Sequence, residues 1–202
     1  MEVAREQGVR GGPSSAALLS RKKVPIMANK RSKLKKLIFS AVFLSLGMIL
    51  PLFTAQMKEI GDSLLPMHLV IMLCGLVCGP YYGLSTGLIL PFLRSALFGM
   101  PPIYPAAVWM AGELATYGFT LGMLYEKGRR KNLCWLYASL LLSMIAGRLV
   151  WGLLKAALLG FAHQSFTFHA FLAGGFIDAF PGILLQLILI PSLMGLFKKI
   201  SL

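Results

Sequence analysis

From position 37 onward the chain alternates long apolar runs with short interruptions that are polar, basic, or rich in proline and glycine. Apolar runs of roughly 17–25 residues have the length an α-helix needs to cross a hydrocarbon core ~30 Å thick. They are too long for buried strands, which run to about 4–8 residues. The pattern predicts six such helices, at 37–55, 64–79, 81–98, 103–125, 133–160 and 169–196. The first ends in a polar loop with Gln56, Lys58, Glu59, Gly61 and Asp62. Gly79-Pro80 turns the chain between the second and third, because proline ends or kinks a helix. Gly99-Met100-Pro101-Pro102 makes a compact turn before the fourth, and the loop 126–132 is basic. The second run is short, and the last two are long enough to tilt or project beyond a bilayer. Residues 1–30 are different: basic, with Gly and Ser and no apolar period. They predict a disordered extension ahead of a membrane domain at 31–202, and they hold no secretory signal. Met27 opens the stretch MANKRSKLKK, a natural start for a membrane protein, so residues 1–26 are expected to be dispensable.

Composition agrees with the pattern. Of 202 residues 57% are hydrophobic and only 13% charged, with mean hydropathy +0.74. A soluble domain carries about 25% charged residues, so lipid is the solvent for much of this surface. The net charge of +13 raises nucleic acid as a partner, but its distribution argues against that. Ten of the 20 Lys and Arg fall in residues 1–36, four are Lys127, Arg129, Arg130 and Lys131, and two are Lys198 and Lys199. With the N-terminus inside, these clusters lie on one side after zero, four and six crossings, and the outer loops carry only Lys58. This is the positive-inside arrangement; five or seven crossings would strand one cluster. The fold class expected is therefore an all-α membrane protein, a six-transmembrane-helix bundle with N- and C-termini cytoplasmic, in the plasma membrane. The basic N-terminus is drawn to anionic lipid.

Candidate chemistry comes from residues that lipid disfavours. Arg94, Glu113, Arg148, Lys155 and Asp178 lie inside predicted spans, where a charge costs at least about 2.5–3.5 kcal/mol at the helix centre. At 1.5 Å rise per residue, Arg94 and Arg148 lie roughly 20 Å from the inner boundary, and Glu113 and Asp178 roughly 13–15 Å from the outer one. All belong to the outer half. They read as interhelical ion pairs (Arg148 with Asp178, Arg94 with Glu113), as a ligand site near the outer face, or as both. Lys155 reads as snorkelling to the interface. His68, at the outer start of the second span, and Trp109, the deepest of the outer aromatics, read either as interfacial residues or as pocket lining. His163 and His169 flank the last outer loop, and no tight ligand spacing links the histidines, so no metal site is expected. Cys74, Cys78 and Cys134 are too few and too odd for a disulfide framework and read as packing residues, as do most glycines. The chain lacks a phosphate loop, a GxSxG elbow and an acidic cluster for magnesium. No catalytic residue and no cofactor are expected.

The segment from Leu65 to Gly118, LPMHLVIMLCGLVCGPYYGLSTGLILPFLRSALFGMPPIYPAAVWMAGELATYG, resembles the S components of energy-coupling factor (ECF) transporters. The resemblance is carried by Pro66, Met67 and His68, by Gly75, Gly79-Pro80, Gly83 and Gly87, by GMPP at 99–102 and by ELATYG at 113–118. It covers residues 35–125 in motif and the whole chain in topology. It implies a substrate-capture subunit that binds a small water-soluble vitamin or related micronutrient from outside. Such a subunit topples in the membrane against a T subunit driven by two ATPase subunits. Docking in that family uses small residues four apart in the first helix; the matching positions are Ala41 and Ser45, surrounded by Phe39, Val42 and Leu46, with serine standing for one alanine. The resemblance also puts the ligand toward the outer face, where the buried charges lie, so Arg94, Trp109, Glu113, Arg148, Asp178 and His68 are the expected substrate-binding residues. Arg94 or Arg148 would pair a substrate carboxylate bidentately, as in pantothenate, and Glu113 or Asp178 would accept amide or hydroxyl donors. Two other classes stay open: an intramembrane enzyme using His68, Glu113 or Asp178 as acid or base, and a stand-alone secondary carrier. A chain begun at Met27 is expected to insert into membranes as the full chain does; its failure to appear in the membrane fraction would refute the dispensability of residues 1–26.

Overall fold

The computed structural model describes residues 15–54, 65–128, 132–161 and 167–199. It divides into two units, Met1–Lys35 and Lys36–Leu202. Every regular element among the described residues is helical: α1 Ser15–Thr54, α2 Pro66–Cys78, α3 Pro80–Phe98, α4 Val108–Lys127, α5 Leu133–Phe161, α6 Phe168–Leu172 and α7 Phe180–Lys199. Wide five-residue turns, Ile103–Ala107 and Ala173–Ile177, lead into α4 and join α6 to α7. Each predicted span is occupied by helix, with boundaries shifted by a few residues. Two departures have local causes. The last span is interrupted at 173–177, where Gly174-Gly175 lets the backbone widen and Asp178 N–H bonds Ala173 C=O five residues back. Helix α1 begins at Ser15, inside the stretch whose composition predicted no ordered element; Ala, Leu, Lys and Arg there are strong helix formers continuous with the apolar run. Residues 1–14 and the whole of the predicted loop 56–62 lie outside the described residues.

Three helical stretches, Ser32–Phe53, Leu133–Gly160 and Ala173–Leu196, are long and apolar enough to cross a membrane, and Pro66–Cys78 is a shorter apolar helix. Their outward faces are apolar too: Phe53 is 75% and Leu153 71% exposed. Contiguous bare leucine, isoleucine and phenylalanine on several helices is what a lipid-facing surface requires.

Helix α4 is the hub of the second unit, packing against α2, α3 and α5. Glycine permits this crowding. At the crossing of three helices Gly75, Gly83 and Gly118 meet backbone to backbone, and a Cβ on Gly118 would stand 2.5 Å from the Gly83 carbonyl carbon. One turn along, a Cβ on Gly87 would stand 2.6 Å from Ala115 N, and one on Gly122 2.7 Å from Gly75 O. Close backbone approach of this kind is the main packing device available where lipid and side chains are equally apolar. Gly79, with φ 106°, lets α2 stop and α3 start at once on Pro80. Around the crossing lies a core of Val70, Met72, Cys74, Cys78, Tyr117, Leu121, Leu140, Met144 and Ile190. Cys74 and Cys78 are thus packing residues as expected, Cys74 also accepting from Thr86 Oγ1 at 3.4 Å. Gly118→Ala is expected to lose about 1–3 kcal/mol by overpacking, read as a lower unfolding midpoint in detergent. Gly195→Ala, with nothing within 4 Å of the new Cβ, is expected to stay within about 0.5 kcal/mol of the parent.

Candidate functional site: a buried polar layer

Four helices of the second unit repeat one pattern. Each contributes an apolar residue to the core, and four positions away, toward the end where α2, α4 and α7 begin and α5 finishes, a polar one. His68 stands one turn from Met72 on α2, Glu113 from Tyr117 on α4, Arg148 from Met144 on α5, and Gln186 from Ile190 on α7. Residues four apart share a helix face, so the four polar side chains form a layer on top of the apolar one. They are 4%, 2%, 5% and 2% exposed.

Glu113 organises the layer. Arg148 Nη1 donates to its Oε1 at 2.8 Å, and Tyr117 OH donates to the same oxygen at 3.2 Å. His68 Nε2 approaches that oxygen to 3.3 Å but off the direction a hydrogen bond needs, and the His68 ring meets Tyr117 edge to face at 5.3 Å. All three contacts fall on Oε1 and none on Oε2. Among the described residues, four buried nitrogens here have no hydrogen-bond partner: both ring nitrogens of His68, Arg148 Nε and Gln186 Nε2. Buried polar atoms are ordinarily satisfied. The layer therefore offers unused hydrogen-bonding nitrogens to a solute or to water.

Beyond the layer a column of cations and rings continues toward the same end. The Arg148 guanidinium lies 5.9 Å from the Trp151 ring, and Lys155 Nζ lies 4.7 Å from Trp151 and 5.5 Å from Trp109. Trp151 meets Phe171 at 6.0 Å. Lys155, expected to snorkel, is half-buried with its Nζ between two indoles, a favourable place for a cation.

The expected residues thus separate. His68, Glu113 and Arg148 come together, and Trp109 joins them through Lys155. Arg94 does not: its Nη1 donates to Met48 C=O on α1 at 3.2 Å, and its guanidinium lies 5.9 Å from Phe98. Asp178 is exposed. The expected pairs Arg148–Asp178 and Arg94–Glu113 are replaced by Arg148–Glu113. The reason is register: α4 turns Glu113 toward α2 and α5, whereas α3 turns Arg94 toward α1. Tyr117, Trp151 and Gln186 are not singled out by sequence reasoning. Gln186 has a legible signal, a lone amide inside the run ILLQLILIP; Tyr117 has one in its spacing of four from Glu113.

At the other candidate surface, Ala41 and Ser45 are both exposed on α1, beside exposed Val42 and Leu46, with Phe39 partly buried against the core. Ser45 Oγ donates to Ala41 C=O at 3.0 Å, so the hydroxyl is spent within its own helix and the serine presents a small, quiet surface.

A family model described as ECF transporter, substrate-specific component, matches residues 35–194. No curated protein and no solved structure gives a significant match. Breaking the central pair with Arg148→Ala or Glu113→Leu is expected to cost about 3–5 kcal/mol, because each leaves an uncompensated buried charge. The double variant Glu113→Leu, Arg148→Met is expected to lose much less than the sum. A double-mutant cycle of unfolding in detergent checks this.

Proposed function

The chain belongs to the substrate-specific components of ECF transporters, and from that premise we propose that it captures a small water-soluble vitamin or related micronutrient outside the cell. In this reading the chain is a plasma-membrane protein that crosses the bilayer six times with both termini in the cytoplasm. It binds its solute at the polar layer and delivers it by toppling against a T subunit driven by two ATPase subunits. Substrate contact is assigned to His68, Glu113, Arg148 and Trp109, with Arg94 and Asp178 at its margins, and T-subunit docking to Ala41 and Ser45. A carboxylate-bearing solute such as pantothenate would be met by Arg94 or Lys155 rather than Arg148, whose charge Glu113 already balances.

One observation carries this reading: unsatisfied buried nitrogens from three helices, one of them ion-paired to a fourth, gathered in a single layer over an apolar core. Stability alone would favour apolar residues there; binding gives the polar ones a purpose. The sequence holds no phosphate loop, so ATP-driven import by this chain would draw its energy from partner subunits, which agrees with a capture role.

Native mass spectrometry of the purified chain is expected to show a retained small molecule that is bound and not converted. Ala41→Trp and Ser45→Trp are expected to abolish co-purification with the ATPase complex while leaving that binding intact. Turnover by the isolated chain, or transport in liposomes without partners, would overturn the proposal; unchanged affinity in both Arg94→Ala and Arg148→Ala would overturn the site assignment.

A further inference from the structure

We infer that the buried layer reads the carbonyl oxygen of an uncharged amide, lactam or ureido group, not a carboxylate, and that Gln186 is one of the side chains that reads it. This rests on the capture role and narrows it to a chemical class.

Charge excludes the carboxylate from this position. Arg148 and Glu113 already form a buried pair at 2.8 Å. A second carboxylate beside Arg148 would set two anions on one cation in apolar surroundings, where like charges repel strongly. Arg94 faces α1, where its Nη1 donates to Met48 C=O, and so stands outside the layer. Lys155 lies farther out, between Trp109 and Trp151. Any anionic end of the solute therefore belongs beyond the layer, and the part inside it is neutral.

Hydrogen-bonding capacity then selects the neutral group. Arg148 Nε–H is a donor without an acceptor, and Gln186 Nε2 is another. One carbonyl oxygen has two lone pairs and can accept both. An amide, lactam or ureido group also carries N–H beside its carbonyl, and Glu113 Oε2, which takes none of the three contacts made to Oε1, is an acceptor of the right kind. An ether accepts but cannot donate, and an alcohol must do both through one oxygen, whereas an amide places its donor and its acceptor on separate atoms. The register of Gln186 suits it to this role. Ile190, one turn away, is fully buried in the same core cluster as Tyr117 and Met144, the neighbours by one turn of Glu113 and Arg148.

Gln186→Leu in the full purified chain tests the inference, because leucine suits an apolar helix and keeps the volume. In the solute-free protein an unpartnered buried amide is a burden, so the variant is expected to unfold at a higher temperature than the parent. Solute affinity is expected to fall at least tenfold. Probes differing in one group complete the test: pantothenate, pantothenol (the same amide without the carboxylate), pantoate (a carboxylate without the amide), nicotinamide, nicotinate and riboflavin. For the probe that binds, loss of the carboxylate is expected to change affinity less than about threefold and loss of the amide at least tenfold. A lower unfolding temperature for Gln186→Leu would make Gln186 a structural partner, and unchanged affinity would make the layer a water site; either overturns the inference and leaves capture standing. A binding probe that depends on its carboxylate and not its amide also overturns it. Absence of any binding or retained small molecule in the parent protein overturns the capture reading itself.

Discussion

A carboxylate that is 2% exposed among lipid-facing helices has to be matched where it stands. Desolvating an ionised group costs several kcal/mol after all relaxation, so the burial has to be offset by a partner. Glu113 is matched by Arg148 on α5, supported by Tyr117 from its own helix and approached by His68 from α2. That one requirement fixes much else. Helix α4 must present Glu113 to two neighbours at once, so it must sit between them. The neighbours must come close enough for a 2.8 Å contact, and this is where the glycines enter.

Gly75, Gly83 and Gly118 let α2 and α3 press directly on the α4 backbone a little more than one turn from the ion pair. Small residues at the crossing and polar residues above it are two parts of one device: the first sets the distance, the second uses it. The glycine crossing is close-packed, backbone on backbone. Both wide turns, 103–107 and 173–177, lie at the starts of α4 and α7 on the side of the polar layer. In the proposed capture role the floor would hold donors in place while the turns at the rim would let a solute in.

Much of this is legible in the sequence, for identifiable reasons. Helix positions follow from apolar run length and from Gly79-Pro80 and Pro101-Pro102, which interrupt helices whatever the tertiary structure. That Glu113 and Arg148 are costly, and hence meaningful, follows from lipid as solvent. Which charge meets which does not follow. Rotation of a helix about its axis decides whether Arg94 faces α1 or α4, and axis rotation is set by side-chain packing such as Met48 and Leu90 against Met67, Ile71 and Leu114, which no run-length rule contains. For a related reason the sequence pattern does not show that Trp109 and Trp151, from two helices, converge on Lys155.

The apolar layer beneath the polar one bears on how a solute would leave. A route straight through the bundle would have to part Met72, Tyr117, Met144 and Ile190, all buried in one cluster, and expose them together with Glu113 to water. Opening such a core disrupts the same packing that holds the ion pair. Moving the whole subunit avoids this: if the bundle tilts as a body, the layer reaches the other side with its contacts intact. Such a motion would need a purchase on the outside of the bundle, and the proposed one is the exposed face of α1 at Ala41 and Ser45, whose small side chains, the serine bonded back to its own helix, would let another helix approach closely. On the proposed reading, capture without passage and movement driven by partners would both rest on the same arrangement: a polar layer laid over a tightly packed apolar floor.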